Sequence, residues 1–312
     1  MTTTARPADA GDPYPTRTAE APPPFPRRHP VVWNPAAAGP LSAAELAAYD
    51  RDGCLHVEAV LTAGQTAACL AETGRLAADR SLRASGRVVP EPDGDGIRSV
   101  FEVHALSETF REIVHSARLA DIARQILGSD VYVHQTRVNF KQAFEGSGFG
   151  WHSDFETWHS EDGMPAPRAL SLSVALTDNG PHNGPLMIIP GAHRTFVPSA
   201  GETPPDYHRT SLRGKNLPAG PADRAAVTAL AREFGIRQFT GPAGSATAFD
   251  ANSLHASAPN VSPFPRTNLF VVYNSVENRI GTPYAAPRPR PAYLASRTFT
   301  PVPRRAGDHA DP

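Results

Sequence analysis

The hydrophobic period of this chain changes near residue 130, and that change constrains its fold more than any other feature. Before it, Leu119, Ile122, Ala123, Ile126 and Leu127 recur at i, i+3, i+4, i+7 and i+8, and Gly128 closes a helical stretch. After it, the period is two. Residues 131–141 read as a strand with Gln135, Arg137, Asn139 and Lys141 on one face and Tyr132, Val138 and Phe140 on the other, core-packing face. Further strands are expected at 169–177, 185–189, 236–240, 245–249 and 268–274. Upstream, the capping-box spacing of Ser42 and Glu45, with a stop at Gly53, predicts a helix over 42–52. Two longer helices are expected over 63–84 and 107–127, separated by a turn-rich loop at 87–97. Helices first and strands afterwards predict an α+β, mainly β chain, whose C-terminal part is an antiparallel barrel or double-sheet jelly roll buttressed by the N-terminal helices.

Charge and composition exclude several functions. The 312 residues carry 30 Lys+Arg against 31 Asp+Glu, a net charge of −1, and the only compact basic clusters are Arg27-Arg28 and Arg304-Arg305. No nucleic-acid partner is expected from that balance, and without about 18 consecutive apolar residues no membrane span is expected either. The N-terminus lacks the apolar stretch of a signal peptide, and two cysteines, Cys54 and Cys69, are too few for a disulfide framework. A soluble, cytoplasmic protein is expected. Ten of the 33 prolines fall within residues 1–40, and Pro287, Pro289, Pro291, Pro301 and Pro303 crowd the other end. The chain therefore divides into a Pro-rich, partly ordered arm (1–40), one domain (41–295) and an extended tail (296–312), with Tyr14, Phe25, Val31, Val32 and Trp33 available to pin the arm down.

The chemistry concentrates in Phe149-Gly150-Trp151-His152-Ser153-Asp154-Phe155. His152 and Asp154, two apart, project from one side of an extended chain; His255 follows a strand, and Arg266 lies eleven residues beyond it. Two imidazoles and a carboxylate make the facial triad of non-haem Fe(II) oxygenases, which leaves three metal positions open. Two of these can chelate 2-oxoglutarate and the third can take O2, while the fork of Arg266 suits the far carboxylate. His-x-Asp alone also fits two polar residues on a solvated strand, and zinc hydrolases use the same ligand types, so spacing alone does not name the metal. Of the remaining histidines, His182, His193, His208 and His309 are expected in solvent.

The run Trp151-His152-Ser153-Asp154-Phe155-Glu156-Thr157-Trp158-His159, followed by Glu161-Asp162-Gly163-Met164-Pro165 and Arg168-Ala169-Leu170-Ser171, resembles the signature of ectoine hydroxylases within the phytanoyl-CoA dioxygenase-like superfamily. Residues 12–17, 126–132, 183–187 and 273–279 match as well, so the resemblance spans nearly the whole chain. It implies a double-stranded β-helix (jelly-roll, cupin-like) core and a cytoplasmic homodimer. The implied reaction is Fe(II)- and 2-oxoglutarate-dependent conversion of ectoine to 5-hydroxyectoine.

Carried over by position, the resemblance makes His152, Asp154 and His255 the iron ligands. It assigns 2-oxoglutarate to Lys141 and Arg266, helped by Asn139, Phe149, Ser171 and Ser257, and ectoine to Gln135, Trp158, Phe249, Asn268 and Phe270, with Arg137 close by. Ectoine is a zwitterion with an amidinium ring, which an aromatic cage of Trp158, Phe249 and Phe270 can hold by cation–π contact. An intact Asp154 argues against a halogenase. Three departures stand out: Gly150 where the family usually has Tyr, Ala166-Pro167 for a basic-Met pair, and Phe140 and Gln142 around Lys141. They keep two alternatives open: a related cyclic amino acid such as L-proline or L-pipecolate as substrate and, more remotely, a non-catalytic solute- or metal-binding barrel.

Overall fold

The computed structural model describes residues 11–92, 96–213 and 220–304. The first ten residues of the arm, residues 93–95 and 214–219, and residues 305–312 of the tail, with Arg305 and His309, lie outside the described residues.

The strands are β1 (Phe25–Pro26), β2 (Cys54–Val57), β3 (Val88–Pro90), β4 (Ile97–Phe101), β5 (Val131–Lys141), β6 (Phe149–His152), β7 (Ala169–Ala175), β8 (Leu186–Ile188), β9 (Thr195–Phe196), β10 (Arg237–Phe239), β11 (Ala246–Asp250), β12 (His255–Ser257) and β13 (Arg266–Ser275). Seven form one antiparallel sheet in the order β2-β11-β7-β13-β5-β4-β3, four form a second in the order β10-β8-β12-β6, and β1 pairs with β9. Cys54, Phe249 and Phe270 of the large sheet share one apolar cluster with Leu186, Ile188 and Phe239 of the small one, so the two sheets face each other as the halves of a jelly roll.

Helices cover the outer face of the large sheet. Helix α1 (Ala43–Asp52) has the complete capping box of Ser42 and Glu45 and ends on Gly53 at φ 69°. The stretch read as one helix over 63–84 is two, α2 (Ala63–Ala78) and α3 (Arg80–Ala84). Asp79 leaves helical geometry and its carboxylate accepts from Ser81 N at 2.8 Å, so the side chain competes with the helix for the backbone. The stretch 107–127 likewise divides, after a short α4 (Val103–Leu106), into α5 (Glu108–Val114) and α6 (Ala117–Leu127), because Ser116 turns extended between them. The expected loop at 87–97 contains β3 and pairs with β4, adding two strands to the sheet; buried Val88, Val89 and Ile97 supply the apolar face that its Pro and Gly residues obscured. The apolar stripe of α6 is buried against Val138, Leu170, Leu172, Leu269, Val271 and Tyr273, and each large side chain there contributes about 1.5–3 kcal/mol by burial.

Strand β5 carries the central irregularity. Val272 pairs with Gln135 but Tyr273 with Val133, leaving His134 as an extra residue. Above this bulge the outward face passes to Val131 and Val133, and Tyr132, expected beside Val138, turns away from the helices to meet Phe299 edge-on at 5.2 Å. Four side chains below it, Gln135, Arg137, Asn139 and Lys141, oppose Val272, Phe270, Asn268 and Arg266 on the inner face.

Two further helices, α7 (Asp154–Thr157) and α8 (His208–Ser211), precede α9 (Arg224–Phe234), which lies where no element is expected although Asp223 caps it. The arm straps across α7. Tyr14 is fully buried edge-on to Phe155 at 4.9 Å, and Arg27 forms a 2.6 Å ion pair with Asp250 at the end of β11, both side chains at most 3% exposed. At the other end Val302 N donates to Val131 O at 2.8 Å. No helix among the described residues is long and apolar enough to cross a membrane.

Removing one partner of a buried ion pair strands the other charge. Arg27→Ala is expected to lower the unfolding free energy by about 3–5 kcal/mol, read from urea denaturation at unchanged slope. A loss below about 1 kcal/mol would show that Asp250 does not depend on the arm.

Candidate metal centre and active site

Three elements deliver the candidate metal ligands. His152 ends β6 and stands directly opposite His255 of β12, so antiparallel register alone brings the two imidazoles to a ring separation of 4.1 Å. Asp154 reaches them by a different route from the extended chain expected: Ser153 is extended and caps α7, and Asp154 is that helix's first residue. The strand-to-helix turn swings the carboxylate inward. Its Oδ1 lies 3.6 Å from His152 Nε2 and 3.9 Å from His255 Nε2, while Oδ2 accepts from Ser171 Oγ at 3.3 Å.

Both rings are oriented for ligation. His152 Nδ1 donates to Gly150 O at 2.7 Å and His255 Nδ1 to Ser253 O at 3.1 Å, which turns each Nε2 toward the Asp154 side chain, where a metal would be shared. Burial works against charge on Asp154, but His255, His152 and Arg137 outweigh it and hold the carboxyl far below its usual range. Burial and the neighbouring His152 push His255 down to about 4. Among the described residues these three form the one His/Cys/Asp/Glu group able to hold a metal, with ligand atoms all within 4.8 Å. Two imidazoles and one carboxylate fit a non-haem iron centre.

Two buried basic side chains lie on the inner face of the larger sheet. Lys141 and Arg266 are a direct cross-strand pair, 1% and 3% exposed, and neither forms an ion pair among the described residues. Lys141 Nζ donates to Ser147 O at 3.1 Å and to Ala258 O; Arg266 Nη1 donates to Gly184 O at 2.5 Å and its Nε has no partner. Burial, with Arg266 and Arg98 alongside, pushes Lys141 down to about 6, and burial alone brings Arg266 to about 10. Gly184, at φ 72°, permits this packing, since a Cβ there would stand 2.4 Å from Ala258 O and 3.2 Å from Lys141 Nζ. Asn139 accepts from Ser99 Oγ at 2.7 Å, Phe149 lies beneath Arg98 at 3.6 Å, and Ser257 pairs with Phe149 across β6 and β12.

The remaining candidates line the wall between. Arg137 sits over Phe270 at 4.6 Å and donates to Gln135 Oε1, while Gln135 Nε2 donates to Leu294 O at 2.6 Å. Phe249 lies 4.9 Å from the His255 ring. Asn268 Nδ2 donates to Ser173 Oγ at 2.9 Å and its Oδ1 is unpartnered. Phe249 and Phe270 share one apolar cluster, whereas Trp158 packs with Phe155, Met164 and Val272 in another.

Trp158 opens a π-wound turn, Trp158–Asp162, that continues α7. Its acids are held by partners that sequence reasoning missed: Arg17 binds both oxygens of Glu156 at 2.9 Å and Glu161 at 2.7 Å, and Arg290 binds Asp162 at 2.5 Å. The signal was the surplus of acids in the signature, each needing a base once buried. His193 and His208, expected in solvent, are buried, His193 with Nε2 3.1 Å from Asp50 O. Gly150 is exposed and a Cβ there would meet open space, while Asn278 grips both backbone groups of Ala166 at 3.1 and 2.8 Å.

Residues 49–268 match the phytanoyl-CoA dioxygenase (PhyH) family. An ectoine dioxygenase of Nocardia farcinica is 53% identical over 95% of this chain and 97% of its own. A crystal structure of EctD from S. alaskensis with 2-oxoglutarate and 5-hydroxyectoine superposes with a TM-score of 0.82 at 43% identity, covering 94% of this chain and 97% of that one. The same enzyme with bound Fe gives 0.78 at 42% identity, covering 92% and 95%. With over half its length matched by the family and half its residues shared with a full-length relative, the chain belongs to the phytanoyl-CoA dioxygenase family and, within it, to the ectoine dioxygenases.

Proposed function

We propose that the chain hydroxylates ectoine to 5-hydroxyectoine with Fe(II), 2-oxoglutarate and O2, releasing succinate and CO2. The observation that carries this reading is a His152/Asp154/His255 ligand set at the smaller sheet, with two buried basic side chains, Lys141 and Arg266, that form no ion pair among the described residues on the inner face of the larger one. His152, Asp154 and His255 hold the iron, which when bound supplies the centre where the co-substrate and O2 are activated. Lys141 and Arg266 take the far carboxylate of 2-oxoglutarate, helped by Asn139, Phe149, Ser171 and Ser257. Gln135, Arg137, Asn268, Phe249, Phe270 and Trp158 orient the zwitterionic ring, and the burial of all but Arg137 keeps water from the oxidising site.

The proposed setting is one dioxygenase domain over 41–295, cytoplasmic and homodimeric. Two free, buried cysteines, with thiols pushed up by burial to about 12 at Cys54 and about 11 at Cys69, suit a reducing compartment. Analytical ultracentrifugation is expected to return twice the chain mass; the mass of a single chain would remove the dimer.

Asp154→Ala is expected to abolish iron retention, measured by metal analysis, together with succinate formation under coupled assay. Unchanged turnover would sink the enzymatic reading.

A lysine depressed to about 6 is largely neutral at pH 7–8 and must gain a proton to face a carboxylate. Binding 2-oxoglutarate therefore takes up a proton, and affinity is expected to fall as pH rises above about 6, by up to about tenfold per unit. Calorimetry in buffers of different ionisation heat measures the uptake, and Lys141→Met should flatten the slope. Equal slopes in both proteins would assign the anion to Arg266 alone.

A further inference from the structure

The bulge in β5 places one side chain that none of the roles above uses. His134 is the extra residue opposite the Val272–Tyr273 step, and its ring meets Trp158 edge-on at 5.1 Å. It is 1% exposed, and neither Nδ1 nor Nε2 has a hydrogen-bond partner. Burying two polar ring atoms without partners costs stability, and a phenylalanine would fill the same space without that cost. Bulges commonly re-aim a side chain beside an active site.

The groups around this ring define what it can accept. Gln135 donates its amide to Leu294 O and accepts from Arg137 at its oxygen, so in the ligand-free protein its acceptor is occupied where that of His134 is not. Arg290 is committed to Asp162, and Arg297 to the carbonyls of Gly281 and Asp162. Burial first, then the charges of Arg290 and Arg297, push His134 down to about 3, so the ring is neutral and one nitrogen carries a lone pair. An amidinium N–H entering beside Trp158 needs an acceptor. On this face the unpartnered acceptors are His134 and the Oδ1 of Asn268.

Resting on the ectoine reading above, we propose that His134 is a substrate-binding residue whose imidazole accepts a hydrogen bond from a ring N–H of the cyclic amidinium substrate, while Trp158 covers the ring's edge. The contact discriminates for an amidinium over a solute of the same size that lacks an N–H at that position, because such a solute leaves the imidazole unpaired.

The test compares His134→Phe and His134→Gln with the unmodified holoenzyme. For each, anaerobic titration of the Fe(II) protein gives the affinities for 2-oxoglutarate and for ectoine, thermal denaturation gives the stability with and without ectoine, and turnover gives KM and kcat. The expected result for His134→Phe is an apo Tm equal to or above that of the parent, a smaller ectoine-induced rise in Tm, and an ectoine KM raised about tenfold or more at unchanged 2-oxoglutarate affinity. His134→Gln, which restores an acceptor oxygen, should recover most of the ectoine affinity. An ectoine KM within about twofold of the parent in folded His134→Phe overturns the proposal, as does an equal loss in the Phe and Gln variants. Should the Phe variant fail to fold, the comparison of His134→Gln with His134→Leu carries the same decision. A parent enzyme that does not bind ectoine at all refutes the substrate reading and leaves the variants silent on it, so the two failures are distinguishable.

Discussion

Lys141 and Arg266 face each other across two hydrogen-bonded strands, buried and without an acid between them, and much of the molecule is arranged around that opposition. Two like charges in a protein interior repel and lose hydration together. Part of that cost is relieved by the partial neutralisation of the lysine and by carbonyls: Ser147 and Ala258 for the ammonium, Gly184 for the guanidinium. Reaching those carbonyls requires a backbone approach that only glycine allows at position 184. What remains is an anion site whose full stabilisation comes with an anionic ligand.

The metal ligands sit on the opposing, smaller sheet, and their spacing from the cations depends on the two sheets staying in place. Apolar packing between Phe249, Phe270, Leu186 and Ile188 sets that distance. Asp154 needs more, since it lies beyond the end of its strand. A buried ionic lattice supplies it: Thr16 and Arg17 of the arm grip Glu156, Arg17 also reaches Glu161 and Thr203, and Arg290 clamps Asp162. Arg17 adopts φ 55° to do so, a conformation uncommon outside glycine and asparagine, sustained here by four bonded side chains. A π-wound turn that presents Trp158 is thus held by charges drawn from both ends of the chain.

Local chemistry was readable wherever one side chain answers its immediate neighbours. The Ser42–Glu45 capping box, the Gly53 stop and the alternation of Gln135 to Lys141 depend on contacts within a few residues or within one strand, and they appear in the structure where the periodicity puts them. Breaks proved harder. Asp79 and Ser116 interrupt segments whose apolar pattern continues, because a cap competes with a helix by a margin that composition does not display. The β3–β4 pairing was masked by the Pro and Gly content of that stretch.

What the sequence determined by itself was the mixed, mainly β class and the kinds of ligand available: a helical period before residue 128 and a period of two after it, with His-x-Asp, a distant His and an Arg eleven residues on; the strands β2, β3 and β4 among the early helices were not part of that reading. Those follow from spacing along the chain, which is all that local periodicity can encode. Tertiary structure alone decided the register that sets His152 against His255 and Lys141 against Arg266, the strand-to-helix turn that carries Asp154 inward, and the bulge that moves Tyr132 off the helical face and exposes His134 to the interior. Cross-strand register is a global minimum over two faces of packing at once, and a one-residue shift reverses every side chain beyond it. No short window of residues contains that information.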